Sequence, residues 1–247
     1  MNAPFATCVR PLTLIGRIDR NGVPTWWSHS CRIAILRGMS ADEVSRRCAP
    51  PPDWPAYYRH SSGREPRPLF RKGMALAAEA GVQPGRAIEI GFGDGTESLA
   101  LLRAGWRVLA VDPTPQAAGY LLKHAPADAL DRLEVRTAPA QAVELPPFDL
   151  LYAGYALSFL ETNDFRRFWT AVRGALRPGG VVIVNAFGVN DTWAGDPYMT
   201  FLERDAVERM AAGLEILALD EEDVDGDSFV GPKHWHVFDL VARRPAG

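Results

Sequence analysis

Short apolar runs, often rich in β-branched residues, alternate along this chain with stretches whose apolar positions recur at helical spacing. From residue 86 onward the alternation is regular and predicts seven strands, most of them separated by a helix. The predicted strands are residues 86–90, 107–111, 133–137, 148–153, 181–186, 214–219 and 236–242. The predicted helices are residues 96–104, 115–124, 164–176 and 203–212.

This order of elements predicts the fold class. Strands that alternate with helices form parallel sheets with right-handed crossovers and helices on both faces. The last two strands are joined without a helix, and we expect them to pair antiparallel. The acidic run at residues 220–227 is expected to be a solvated loop between them, or else to bind a cation or a basic acceptor. The sequence Arg-Pro-Gly-Gly at 177–180 is expected to end the preceding helix and to separate it from strand five. The prediction is an α/β, Rossmann-like, doubly wound seven-stranded sheet, mostly parallel with an antiparallel last strand.

The N-terminal part of the chain does not show this alternation of strands and helices. We predict an N-terminal extension at residues 1–52 and one domain at residues 53–247. All three cysteines, Cys8, Cys31 and Cys48, lie in the extension, and their spacing fits no zinc motif. A thiol site for a soft metalloid is a minor alternative. The extension is interpreted as a lid over a site, a dimer contact, or a segment packed on the sheet.

Composition narrows the class of protein. The chain has 247 residues, is 47% hydrophobic and carries a formal net charge of -3. These values fit a globular domain and exclude a wholly disordered chain. The slightly acidic balance argues against a general nucleic-acid binder. Since there is neither an apolar run of about 18 residues nor a secretory signal, we expect a cytoplasmic protein without membrane partners.

The sharpest motif follows the first predicted strand. It reads Glu89-Ile-Gly91-Phe-Gly93-Asp-Gly95-Thr96 and opens the first predicted helix. Glycines permit a tight turn and close approach to a ligand, and the helix start offers free N–H groups. A dinucleotide site would place its third glycine at position 96, and a pyrophosphate would be repelled by Glu89. The motif therefore disfavours a nicotinamide-dependent oxidoreductase and suits a ligand with an ammonium group.

Glu89-x-Gly91-x-Gly93-x-Gly95 resembles the first motif of class I S-adenosylmethionine-dependent methyltransferases. In that family the glycine loop lies against the methionine part of the cofactor, and an acid ending the second strand holds the ribose hydroxyls. Asp112 stands at that position. Residues 148–153 and 176–184 look like two further motifs of the family. Residues 53–58, 187–193 and 233–238 are similar to a bacterial branch near the tellurite-resistance small-molecule methyltransferases.

The resemblance implies S-adenosylmethionine as cofactor and S-adenosylhomocysteine as its product. The residues expected to bind the cofactor are Tyr58, Glu89, Gly91, Phe92, Gly93, Gly95, Thr96, Asp112, Pro113 and Gln141. One position departs from the family pattern, because Pro139 stands about where an acid often binds the adenine amino group. Gln141 with backbone groups is expected to take over that role, or else is a solvated loop residue.

The predicted strand order indicates which residues lie near the methyl acceptor. Ligands bind outside the carboxyl ends of parallel strands, and a reversed last strand begins at the same edge. The residues predicted to bind the acceptor are Trp26, Tyr57, Tyr155, Phe187, Trp193 and Trp235, and those predicted to be catalytic are His234, His236 and Tyr155. The two histidines share one strand face, so one of them is a candidate general base or else packs at the sheet edge. As a metal pair they lack a third ligand, so no metal is predicted.

Together these features imply an enzyme that moves a methyl group from S-adenosylmethionine to a small-molecule acceptor by in-line displacement. We expect it to act as a monomer or homodimer. A catalytically inactive S-adenosylmethionine-binding partner subunit is the alternative, motivated by the altered adenine loop. The acceptor and the methylated atom are left open.

Overall fold

A computed structural model describes residues 53–246 of the chain. The strands are β1 (Arg86–Ile90), β2 (Arg107–Asp112), β3 (Leu133–Thr137), β4 (Phe148–Ala153), β5 (Leu176–Gly188), β6 (Phe201–Leu202), β7 (Glu215–Ser228) and β8 (Gly231–Arg243). The helices are α1 (Trp54–Ser61), α2 (Pro68–Glu79), α3 (Thr96–Arg103), α4 (Pro115–His124), α5 (Thr162–Ala175) and α6 (Arg204–Met210). The predicted extension, the three cysteines and Trp26 lie outside the described residues.

All of the strands join one sheet in the order β3-β2-β1-β4-β5-β8-β7, with short β6 paired to the end of β5. Neighbours from β3 to β5 run parallel, whereas β8 is antiparallel to both β5 and β7. The predicted α/β fold with an antiparallel last strand is confirmed. The chain winds outward from β1 to β3 and then returns to place β4 on the other side of β1. A crevice at the carboxyl ends of β1 and β4 is where such sheets bind ligands.

Strand side chains alternate between two cores, one on each face of the sheet. Ile88 packs in the core that includes α5, while its neighbour Ala87 packs in the core that includes α2. The buried stripe of α5 is Phe165, Phe168, Trp169 and Val172, a spacing that places all four on one helix face. Both sheet faces are therefore covered, as a parallel sheet requires. None of the helices between residues 53 and 246 has the length and apolar character needed to cross a membrane.

The preceding helix ends before residue 177, as predicted, but the prediction that residues 177–180 separate it from strand five is wrong, because these residues lie inside β5. Phe148 of β4 pairs with Leu176, but Leu150 already pairs with Val181, so the register shifts and β5 carries extra residues. Gly179 has φ +80°, a conformation that glycine adopts without strain. The Pro-Gly-Gly sequence therefore produces a bulge in the strand and leaves the strand continuous.

The predicted loop at residues 220–227 is also wrong. This acidic run is part of β7 and pairs residue by residue with β8, from Asp220 opposite Asp239 to Ser228 opposite Gly231. Its carboxylates are mostly exposed, as predicted, but the turn of the hairpin is confined to residues 229–230. Ladder hydrogen bonds and cross-strand pairing outweigh the low strand propensity of aspartate and glutamate. β6 was not predicted, since two residues are too short to show a period.

Candidate active site

A cavity of about 750 Å³ opens at the carboxyl ends of β1, β2 and β4. Its walls come from the glycine loop after β1, from α1 and the segment that follows it, and from the β7–β8 hairpin. The volume suits a cofactor together with a small second ligand. The position agrees with the crevice that the strand order favours.

The loop between β1 and α3 turns at three glycines, Gly91, Gly93 and Gly95, with φ of +72°, +54° and +82°. Side chains strain these conformations, and a Cβ on Gly91 would lie 2.6 Å from the Cβ of Ala156. Gly91 and Gly93 line the cavity with Phe92, so backbone forms much of this wall. Gly95 and Thr96 do not line it, and their place is in the turn and the start of α3.

Asp112 ends β2 and lies against the same loop. Its carboxylate is 1% exposed and accepts hydrogen bonds from the backbone N–H groups of Gly93 at 3.0 Å and Thr114 at 2.8 Å. The Tyr58 hydroxyl on α1 lies 3.2 Å from each carboxylate oxygen. Burial raises the pKa of Asp112, and these donors oppose the shift. The arrangement fixes a carboxylate in the cavity wall, where it can accept from a vicinal diol.

Glu89 supplies a second buried carboxyl group, 1% exposed, at the end of β1. It accepts a hydrogen bond from the Ser98 hydroxyl of α3. Burial and the nearby Glu97 raise the pKa of Glu89 well above its usual range, while Arg64 acts in the opposite direction. An ammonium group at this wall would favour the ionised form of Glu89.

Besides Nε of Arg64, two polar atoms in the cavity wall have no hydrogen-bond partner among residues 53–246: the Tyr152 hydroxyl and Oδ2 of Asp94. Both residues are buried, and buried polar atoms normally find a partner. They lie near Arg64, whose guanidinium bonds both carboxylate oxygens of Glu97 at 2.6 and 2.7 Å. This polar group beside the glycine loop fits the amino-acid part of S-adenosylmethionine.

The remaining residues predicted for the cofactor are Tyr58, Pro113 and Gln141, and all three line the cavity. Gln141 is exposed at the mouth, in a short 3-10 turn after β3, next to Pro139. Tyr58 is 6% exposed, and its ring would lie 3.0 Å from a Cβ placed on Gly93. The glycine at that position therefore lets α1 close against the loop.

Aromatic side chains form the opposite wall, as far as the described residues go. Those that line the cavity include Tyr57, Tyr155, Phe187, Trp193 and Trp235, all predicted acceptor residues. Tyr155 is central, with ring centroids 6.0 Å from Phe187 and 5.8 Å from Trp235. Its φ of +54° is unusual for a residue with a side chain, and the Asn185 side chain accepts its backbone N–H at 2.7 Å. Burial raises the pKa of Tyr155 to about 12.

His234 and His236 share a strand face, but it is the face opposite to that of Trp235, and neither lines the cavity. The ring of His234 bonds the carboxylates of Asp223 at 2.6 Å and Asp225 at 2.8 Å. His236 accepts the backbone N–H of Asn190 at 3.0 Å and lies 3.2 Å from a Glu221 oxygen. The prediction that one of them is the general base is corrected: both are engaged in the hairpin, away from the cavity.

Several residues of the cavity were not predicted from sequence, namely Arg64, Arg67, Tyr152, Glu222 and Asp227. The arginines precede α2 in a segment without periodicity, so nothing in their pattern indicated where they would point. Tyr152 lies in the predicted fourth strand, whose resemblance to a family motif assigned no binding role to this residue. Glu222 and Asp227 belong to the run that was predicted to be a loop. Strand pairing places Glu222 on the same face of the hairpin as Trp235, whereas Asp227 meets the Trp235 indole N–H through its backbone carbonyl.

Comparison with known proteins gives a family match for the middle of the chain. Residues 88–182 match the family described as "Methyltransferase domain". "Hemagglutinin 1" of Eikenella corrodens is 28% identical over 142 residues, which are 57% of this chain and 47% of that protein. The match thus spans about half the length of that curated relative.

Solved structures share the fold. TehB from Haemophilus influenzae superposes with a TM-score of 0.56 at 15% identity, covering 69% of this chain and 62% of that one. The 1,6-didemethyltoxoflavin-N1-methyltransferase of Burkholderia thailandensis, solved with 1,6-didemethyltoxoflavin and S-adenosylhomocysteine, gives 0.57 at 19% identity, covering 88% of this chain and 91% of that one. These superpositions confirm the predicted fold, and the family match agrees with the predicted methyltransferase domain over residues 88–182.

Proposed function

We propose, from the match of residues 88–182 to a methyltransferase domain, that the chain transfers a methyl group from S-adenosylmethionine to a small-molecule acceptor. The observation that carries the proposal is the hydrogen bond between Gly93 N–H and the Asp112 carboxylate. It joins the two parts of the predicted cofactor motif, 19 residues apart, in the wall of one cavity. A tight turn without a ligand role would not require a buried carboxylate there.

The residues present fit the cofactor at both of its ends. Asp112 can accept the ribose hydroxyls, and Glu89 can attract the amino group, while the unpartnered Tyr152 hydroxyl offers a further contact. Held there, S-adenosylmethionine would supply an electrophilic methyl group for in-line transfer to the acceptor. The protein contributes alignment of the two reactants and exclusion of water.

The aromatic wall is proposed to hold the acceptor. Tyr155 occupies the junction between the glycine loop and the wall, since Gly154 and Tyr155 follow β4 directly. A strained backbone at such a position is typical of sites where side-chain direction matters. With a pKa of about 12, the Tyr155 hydroxyl stays protonated near neutrality and acts as a hydrogen-bond donor to the acceptor.

Calorimetric titration with S-adenosylhomocysteine tests the proposal. We expect binding by the full chain, weakened about 100-fold by Asp112→Ala because the diol then loses its acceptor in a buried wall. Glu208→Gln, an exposed change on α6, is the matched control and should leave the affinity unchanged. An absence of binding by the unmodified chain would refute the proposed function.

The inactive partner subunit remains the second candidate because of Pro139, which lines the cavity where an acid often binds adenine. Both candidate functions predict that the chain binds S-adenosylhomocysteine, but only the enzyme is expected to form a methylated product. Binding without any methylated product from small-molecule extracts would favour the partner subunit.

A further inference from the structure

The unsatisfied polar atoms of the cavity are gathered at its glycine-loop end. Among residues 53–246, the cavity-lining residues with a buried side-chain atom that lacks a hydrogen-bond partner are Arg64, Asp94 and Tyr152. Arg64 lies 3.6 Å from an oxygen of Asp94, and Tyr152 lies beside the same arginine. All three therefore belong to the end of the cavity that is proposed to hold the amino-acid part of the cofactor.

The aromatic end of the cavity differs, because its buried polar groups find partners within the chain. The Asn185 side chain accepts the Tyr155 N–H at 2.7 Å, and the Ser158 hydroxyl accepts the Phe187 N–H at 2.8 Å. Among the described residues that line this end, no buried side-chain polar atom is left without a partner. A ligand here is therefore recognised mainly through its shape and its apolar surface.

The rings of the aromatic wall are in contact with one another. The Tyr155 ring centroid lies 5.8 Å from that of Trp235, and the Phe187 centroid lies 5.6 Å from that of Trp193. Phe159, which also lines the cavity, continues the wall at 6.0 Å from Phe187. These separations fall within the range that aromatic pairs prefer, so the wall is one connected cluster of rings.

The cluster extends onto α1 and the turn of the β7–β8 hairpin. The Trp54 centroid lies 5.2 Å from that of Phe159 and 6.0 Å from that of Tyr57, and Tyr57 meets Phe229 at 5.5 Å. Trp54, Tyr57 and Phe229 all line the cavity. Rings from β5, β8, α1 and the hairpin turn therefore surround this end from several sides.

A buried cation holds part of this wall in place. The Lys233 ammonium lies 3.4 Å from the ring centroid of Trp193 and 4.3 Å from that of Trp235, and Asp191 balances its charge. The cation-binding faces of these rings are thus taken by a lysine of the chain itself. Trp235 also meets Tyr155 at an interplanar angle of 75°. The wall presents ring edges and faces at fixed angles, which suit another flat ring.

We infer that the acceptor is a planar aromatic molecule, held by ring contacts with the aromatic wall. The inference rests on the proposed methyl transfer and names its substrate class. Stacked and edge-to-face contacts stabilise an aromatic ligand beyond the apolar area that it buries. A saturated ligand of the same size gains only the burial. The wall should therefore distinguish two such ligands even when they are equally apolar.

Two uncharged probes of similar size and hydrophobicity test this inference. They are the flat aromatic 2-naphthol and its saturated counterpart, trans-decahydro-2-naphthol. Each is titrated calorimetrically into the full chain saturated with S-adenosylhomocysteine. We expect 2-naphthol to bind at least about tenfold more tightly, because contacts with two or more rings add to the burial. Equal or weaker binding of 2-naphthol, or binding of neither probe, would overturn the inference.

Two variants of Trp235 separate ring contacts from apolar burial. Trp235→Leu should weaken 2-naphthol about threefold to tenfold and the saturated probe by less than about twofold, whereas Trp235→Phe keeps a ring and should retain most of the affinity for 2-naphthol. Tyr198→Leu removes a half-buried ring outside the cavity and should change neither affinity. Equal losses for both probes in Trp235→Leu would also contradict the inference.

Binding of S-adenosylhomocysteine serves as the reference for each variant. Its affinity should stay unchanged in all three, which shows that the fold and the cofactor end of the cavity are intact. Failure of the unmodified chain to bind S-adenosylhomocysteine would instead overturn the proposed methyl transfer, so the two failures are distinguishable.

Discussion

The Tyr58 hydroxyl lies 3.2 Å from both carboxylate oxygens of Asp112, although 54 residues separate them in the chain. This contact ties α1 to the end of β2 and directs the carboxylate toward the glycine loop. It also means that the cofactor wall depends on a helix outside the regular strand–helix alternation. The same hydroxyl lies 3.3 Å from Thr114 Oγ1, so the donor is held from two sides.

Tyr58→Phe removes this donor and keeps the ring that packs on Gly93. We expect affinity for S-adenosylhomocysteine to fall about threefold to tenfold and unfolding free energy to fall by about 1 kcal/mol. Calorimetry and urea denaturation measure the two quantities. Tyr120→Phe, which changes another tyrosine near α1, is the control. An affinity equal to that of the unmodified chain would show that the Tyr58 hydroxyl does not support the Asp112 carboxylate.

Gly91→Ala should disrupt the loop. Its φ of +72° disfavours a side chain, and the added Cβ would meet Ala156 at 2.6 Å. We expect a loss of about 2 kcal/mol or more in stability, together with weaker cofactor binding. Gly119→Ala in α4 is the matched change: it meets nothing within 4 Å and should stabilise by about 0.5–1 kcal/mol. If both variants unfold at the same urea concentration, the loop geometry described above is wrong.

Because of Asp239, we expect the free energy of unfolding to decrease as the pH rises from about 4 to about 6. Burial, joined by the nearby carboxylates of Asp220 and Glu222, raises the pKa of Asp239 to about 6. A carboxyl group whose pKa is raised on folding favours the native state below its unfolded pKa of about 4, and that contribution is lost as pH rises to about 6. Asp239→Asn removes the titration and should stabilise the protein above pH 6 by at most about 3 kcal/mol.

Thermal melts of the unmodified chain and of Asp239→Asn between about pH 4 and pH 8 test the direction of this pH dependence. The melting temperatures should converge at the acid end and separate above about pH 6, with the variant higher. Asp205→Asn, on the exposed surface of α6, is the control and should show no such separation. A variant that is less stable at pH 8 would contradict the raised pKa.

Lys233→Met should be strongly destabilising. The Lys233 side chain is 2% exposed and that of Asp191 is 0% exposed, so the substitution leaves a buried carboxylate without its cation. We expect a loss of about 3–5 kcal/mol in unfolding free energy. The double variant Lys233→Met/Asp191→Asn should recover most of this loss, because neither charge remains. Urea denaturation of Lys233→Met, Asp191→Asn and the double variant gives the coupling free energy between the two side chains. If the losses of the single variants simply add up in the double variant, the two residues do not form a direct ion pair.

The sequence predicted the central sheet well, because its strands are short, apolar and separated by clear turns. Residues 86–90, 133–137 and 148–153 were assigned with the bounds that the structure shows. The glycine loop and Asp112 were found for the same reason, since each directly ends a buried strand. The antiparallel hairpin was placed correctly, but its length was not, because the six acids at residues 220–227 resemble a loop until their cross-strand partners are known.

Side-chain direction was the part that the sequence could not supply. His234 and His236 were placed near the right edge of the sheet, yet alternation sends them to the face away from the cavity and sends Trp235 into it. Arg67 lies between the Tyr57 hydroxyl and the Tyr155 ring only because α1, the following segment and the β4 loop meet there. Contacts between distant segments leave no periodic signal.

The central claim is methyl transfer to a small molecule, and transfer of label tests it most directly. The full chain is incubated with S-adenosylmethionine radiolabelled in the methyl group and a protein-free small-molecule extract, alongside Asp112→Ala. We predict that label moves into a small-molecule fraction with the unmodified chain and that the variant loses most of this transfer. Label that stays on the donor in every fraction, or that moves equally with Asp112→Ala, would contradict the account.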